Sequence, residues 1–290
     1  MGILLGLITA LTWGGADFVA RFSTYRIGTL RTMFYMQFIG FLLLTISMHW
    51  LGGWGHLADG SGWQPWAWGF LAGLLNACGT LSLYRAFEIG KMSVVAPLSA
   101  SYPALTLILS RLGGDHLSSA RVGGIVLILF GVAVVAGGEH VPGENSALLE
   151  KKNTRGIGLA IMAAVGFGVL FWLLAIRVIP RVGAIQAVWM IRLTSSFLTA
   201  SVILAAAQPM HLPRGAARRM ALSMGTFDTL AFVLSNRGMQ MEQVAVISVL
   251  GSLYGAVTVG LAAIFLREHI SPWQWTGIAT IFAGIVLISR

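Results

Sequence analysis

Apolar residues along this chain come in long unbroken runs, each close to the ~20 residues that cross a bilayer as a helix. Ten runs can be marked, at 2–22, 30–48, 65–88, 92–111, 119–136, 155–178, 183–206, 216–239, 243–266 and 272–289. The polar breaks between them are short except at 49–64 and 137–154, which favours antiparallel neighbours in a compact bundle. Residues 137–154 (GGEHVPGENSALLEKKNT) are rich in Gly, Pro and charge and divide the chain almost in half. The pattern predicts an all-α membrane protein of ten transmembrane helices: a first five-helix repeat at 1–136, a linker at 137–154 and a second five-helix repeat at 155–290.

The two halves repeat each other. Tyr84-Arg85-Ala86 leads into KMSVVAPLSASYPALT and Asn236-Arg237-Gly238 into QVAVISVLGSLYGAVT, at a constant offset of 152 that aligns Tyr102 with Tyr254. After a one-residue shift, Gly124/Gly131 match Gly277/Gly284, a seven-residue spacing that puts each pair on one helix face. In the first helices Gly6 and Gly14 match Gly158 and Gly166. Five spans carry the chain across the membrane, so the second half must enter inverted relative to the first. Inverted repeats give one scaffold two arrangements of similar energy, open to opposite sides, which is the expected basis of alternating access.

Composition agrees with the pattern. Residues of the AVILMFWYC set make up 57% and charged residues 10%, and mean hydropathy is +0.81. The 36 glycines suit helices that approach closely in lipid. A net charge of +9 raises the question of nucleic acid, but the Lys and Arg are scattered at the ends of apolar runs, so lipid anchoring is the better reading and no nucleic-acid partner is expected. Eleven of them (Arg21, Arg26, Arg85, Lys91, Lys151, Lys152, Arg155, Arg214, Arg218, Arg219, Arg267) fall on one side and six (Arg111, Arg121, Arg177, Arg181, Arg237, Arg290) on the other. By the positive-inside rule both termini lie outside the cytoplasm. The single Cys78 excludes an intrachain disulfide. The six His lack metal-ligand spacing and no Walker-type loop occurs, so neither metal, cofactor nor direct ATP drive is expected.

Charge inside the apolar runs is expensive and therefore informative. Arg192 and Asp228 lie at similar depth on either side of the connection between spans seven and eight, so they can meet across one hairpin. Two roles stay open for the pair: a structural ion pair, or a coupling site for a proton or substrate. Asp17 lies late in the first span, where solvation at the interface is expected. Polar side chains also fall at helical spacing: Asn76, Thr80 and Tyr84 in the third span, Ser99 and Tyr102 in the fourth, Ser248 and Ser252 with Tyr254 in the ninth. Such stripes should face the bundle interior, where a cavity can form. Among ten tryptophans, most sit at span ends as an interfacial belt, whereas Trp13, Trp172 and Trp189 lie deeper and are candidate cavity walls. These residues form the expected substrate site.

The chain resembles the drug/metabolite transporter superfamily, EamA type. The likeness rests on the two five-helix repeats, Leu11-Thr12-Trp13-Gly14, an Arg in the second span of each half (Arg31 and Arg192), and the ending Arg267-Glu268 to Trp275-Thr276-Gly277 to Gly284. Among branches it is most similar to the bacterial aromatic amino acid exporters of the YddG type. The resemblance implies a multi-pass protein of the bacterial inner membrane with both termini in the cytoplasm, opposite to the charge count. It also implies a secondary transporter, not an enzyme, exporting small amphipathic metabolites, with aromatic or other neutral amino acids favoured. Efflux of cationic drugs is the alternative, and an intramembrane enzyme on a lipid-linked substrate ranks below both. The expected partners are a small-molecule substrate and the lipid bilayer, with a monomer as the working unit.

Overall fold

The computed structural model describes residues 1–51, 54, 60, 62–114, 118–137, 146–241, 244–268 and 270–288, and among them every regular element is helical. The first half comprises α1 (Gly2–Ile27), α2 (Thr29–Leu51), α3 (Gln64–Ile89), α4 (Met92–Ser99), α5 (Tyr102–Leu112) and α6 (Ser119–Gly137). The second comprises α7 (Ser146–Leu173), a π-helical turn (Leu174–Val178), α8 (Ile179–Val182), α9 (Ala184–Ala205), α10 (Ala216–Met241), α11 (Val244–Ser252), α12 (Tyr254–Leu261), a second π-helical turn (Ala262–Leu266) and α13 (Pro272–Ile288). Among the described residues seven spans are long and apolar enough to cross a membrane, with α4–α5, α7–α8 and α11–α12 (including the second π-helical turn) each counting as one. Two shorter apolar helices, Ser119–Val135 and Pro272–Ile288, and the more polar α10 complete the ten expected.

Helix α7 begins at Ser146, inside the segment read as a linker. Residues 146–152 (SALLEKK) are good helix formers that an apolar window passes over. The rest of that segment, 138–145, lies outside the described residues. The single Cys78 is exposed.

Packing reveals the relation between the halves. Helix α1 lies against α10 as α3 lies against α7; α3 meets α9 as α10 meets α2; α5 meets α7 as α12 meets α1. Exchanging the halves maps each pair onto the other, while α2–α9 and α6–α13 map onto themselves. That is a pseudo-two-fold, and with five spans per half it relates inverted repeats. At the self-paired α6–α13 contact a Cβ on Gly124 would stand 2.7 Å from the Gly284 carbonyl oxygen, and one on Gly131 2.8 Å from that of Gly277. Only glycine permits the two backbones to come so near.

The fourth and ninth spans break at positions 152 apart. Ser101 and Leu253 interrupt them with three-residue turns, Ser101 N–H donating to Leu98 C=O at 3.3 Å and Leu253 N–H to Leu250 C=O at 3.2 Å. In the first half Pro97 and Pro103 remove backbone donors around the break. Each break ends at a tyrosine, Tyr102 or Tyr254, which starts the next helix.

Candidate functional site

The tyrosines at the two breaks are tethered crosswise. Tyr102 Oη donates to the Ser248 carbonyl at 3.0 Å, and Tyr254 Oη shares a 2.9 Å hydrogen bond with Ser99 Oγ. Each half thus holds the other's broken span. Between them lies a narrow cavity of about 40 Å³, with Trp13, Asp17, Thr80, Tyr84, Asp228 and Phe232 among its walls. Leu83, Tyr102, Phe167, Phe171 and Tyr254 complete the lining. At roughly 10–15 Å³ per enclosed water, this volume holds water and not an amino acid, so a solute enters only as the walls part.

Aromatic rings dominate the walls. Trp13 presents its ring edge-on to Phe171 at 5.8 Å, Phe232 at 5.2 Å and Tyr254 at 6.1 Å. Phe171 stacks on Tyr102 at 4.9 Å and on Phe232 at 5.8 Å. Such pairs interlock by the ring quadrupole as well as by area.

Two carboxylates face this space and differ in their partners. Asp228 meets Arg192, Nη2 to Oδ2 2.5 Å. The arginine is wholly buried; its Nη1 donates to Gln37 Oε1 at 2.6 Å, and its guanidinium lies 5.2 Å from the Phe232 ring centroid. Gly40 leaves room for it, since a Cβ there would stand 3.0 Å from Arg192 Nε. Asp17, by contrast, is 7% exposed and has no ion-pair or hydrogen-bond partner among the described residues. The interfacial position expected for it is not the one it takes. Arg21, its nearest candidate partner in sequence, is committed elsewhere.

One turn farther along α1, Arg21 Nη1 donates to the carbonyls of Phe87 at 2.6 Å and Gly90 at 2.8 Å, while Nη2 lies 3.5 Å from Glu268 Oε1. Glu268 in turn accepts from Met92 N–H at 3.2 Å, Ser93 N–H at 2.9 Å and Ser93 Oγ at 2.7 Å. Arginine and glutamate together cap the end of α3 and the start of α4.

Of the residues expected at the site, Trp13, Thr80, Tyr84, Tyr102, Tyr254 and Asp228 line the cavity. Ser99, Ser248 and Arg192 stand behind it, holding Tyr254, Tyr102 and Asp228. Four do not reach it. Asn76 donates to Ser195 Oγ at 3.2 Å in the α3–α9 seam, and Ser252 is turned onto its own helix, donating to Val249 C=O at 2.8 Å. Trp189 is only a turn and a half into α9; it donates to Thr45 Oγ1 at 2.9 Å and packs with Phe41, Trp54 and Trp66. Trp172 follows Phe171, and since Phe171 points inward its neighbour, about 100° around the helix, does not.

Sequence reasoning missed Leu83, Phe167, Phe171 and Phe232 as lining residues. Spacing carried part of the signal: Trp13 and Asp17, Phe167 and Phe171, and Asp228 and Phe232 are each four apart, on one face of their helix.

A model of the EamA-like transporter family matches residues 1–137 and again residues 154–290. The chain belongs to the EamA-like transporter family. It is therefore a multi-pass membrane protein of a transporter family. A crystal structure with which it shares 20% identity superposes with a TM-score of 0.72, covering 99% of this chain and 97% of the other, which shows a common fold. An uncharacterized protein of Methanocaldococcus jannaschii is 39% identical over 67 residues, 23% of this chain and 49% of that relative. The chain spans about half the length of the curated relative it matches.

Proposed function

We propose that this EamA-family member is a secondary transporter for small amphipathic metabolites that carry an amino group on an apolar body, aromatic amino acids first among them. The observation that carries this reading is Asp17: a buried carboxylate without a partner, set among aromatic rings. A carboxylate in such a place offers an ammonium group its opposite charge, and ring faces attract cations further. The stacked walls match a flat hydrophobic side chain. Inverted repeats with crosswise tethers suit alternating access, in which the halves exchange shapes about the cavity.

A second reading has its own support. No unpaired cation lines the cavity among the described residues, because both Nη atoms of Arg192 are engaged. That favours solutes without a carboxylate, such as organic cations. Counterflow in proteoliposomes, without ATP, separates the two. Saturable exchange of tryptophan, phenylalanine or tyrosine is the expected result. Exchange of tryptamine and phenethylamine with no flux of the amino acids transfers the assignment to cations, and flux of neither overturns both.

A further inference from the structure

Away from the cavity, one end of the bundle carries two arginines that no carboxylate answers among the described residues. Arg177 and Arg181 are exposed, one turn apart, and neither forms an ion pair among the described residues. Local backbone chemistry sets them there. Pro180 has no N–H, and the preceding turn widens so that Ile179 N–H donates to Leu174 C=O, five residues back. Arg181 Nη1 donates to the Arg177 carbonyl at 2.9 Å, which draws the second guanidinium back over the first residue. Arg177 itself is held over the Trp68 ring at 5.6 Å from its centroid.

Surroundings define what would bind. Trp63 and Trp66 are exposed at the start of α3, where tryptophans mark the bilayer interface. Arg181 lines two grooves. One, of about 400 Å³, passes Trp63, Trp68 and Leu71. The other, of about 460 Å³, passes Ile179, Pro180 and Met239. Paired positive charge at headgroup depth, beside a mainly apolar groove that passes Trp63, Trp68 and Leu71, is complementary to the phosphodiester of a lipid whose acyl chain lies in that groove.

We propose that Arg177 and Arg181 seat the phosphate of an anionic phospholipid, with an acyl chain lying in the groove past Trp63, Trp68 and Leu71. A zwitterionic lipid brings its own cation to the arginines and binds less well. Arg237, exposed at the same end and bonded to Gln240, serves as the control.

Full-length protein in detergent is titrated with phosphatidylglycerol, phosphatidylcholine or inorganic phosphate, reading bound lipid by native mass spectrometry and thermal stability alongside. The protein should retain phosphatidylglycerol in preference to phosphatidylcholine and gain stability from it. Arg177→Gln with Arg181→Gln should weaken that retention about thirtyfold, roughly fivefold per arginine, while Arg237→Gln leaves it unchanged. Arg177→Lys with Arg181→Lys keeps the charge and should restore most of the preference, which separates lost binding from lost folding. Equal retention of the two lipids, or an undiminished preference in the double Gln variant, overturns the proposal. So does an equal stabilisation by inorganic phosphate, which would make the pair a general anion site.

Discussion

At the scale of single residues, the two carboxylates of the cavity should respond differently to the same change. Asp228→Asn leaves the wholly buried Arg192 without its counter-charge, and breaking a buried pair costs about 3–5 kcal/mol in soluble proteins. Thermal stability should fall, and Arg192→Gln added to Asp228→Asn should restore much of it. Transport returning with the fold identifies a structural pair; a stable but transport-dead double variant identifies a coupling site. Asp17 has no partner to strand, so Asp17→Asn should fold as the parent does. It should weaken binding of amine solutes about ten- to a hundredfold in counterflow, as the loss of a charged hydrogen bond of ~1.5–3 kcal/mol requires. The first of these residues was legible in the sequence because depth can be counted from a helix end, and counting brought Asp228 and Arg192 to one height. Asp17 was not, because the count placed it near an interface, whereas α1 runs on to Ile27 and carries the residue inward. Side-chain direction misled at Trp172 and Trp189 for a related reason. Depth in a span says nothing about which face a ring occupies.

Among the elements, the α6–α13 pair depends on backbone proximity more than on side-chain volume. Gly131→Val would drive a branched side chain into the Gly277 carbonyl and Ile281, against a gap that a single Cβ already overfills. Overpacking of this kind costs about 1–3 kcal/mol. The melting temperature should drop, whereas the same substitution at Gly158, which has open space around it, should be tolerated. The matching seven-residue spacings made these helices' shared face visible in advance. Breaks in the fourth and ninth spans were visible only in part. Pro97 and Pro103 announce the first, but the second bears no proline and depends on the packing of Tyr254 against Ser99 from the other half. A tertiary cause leaves no local mark in the sequence.

For the whole molecule, repeat and inversion followed from an offset of 152 and an odd number of spans, both readable without coordinates. Which side faces the cytoplasm follows from neither. Eleven Lys and Arg on one side against six on the other predict termini outside, against the orientation the family resemblance implies. A carboxy-terminal alkaline phosphatase fusion should then be active and a fluorescent-protein fusion dark; the reverse pattern assigns the termini to the cytoplasm. Whichever side it faces, the end of the bundle beyond Asp17 is bound by the Arg21–Glu268 network, and this has a kinetic consequence. Two side chains there satisfy carbonyls of α3 and N–H groups of α4 at once. Parting the helices slightly would strand all of these groups together, with nothing gained until water reaches them. Loosening by degrees is thus the costliest course, and this end should behave as a switch with a single threshold, shut or fully hydrated, with few molecules caught between.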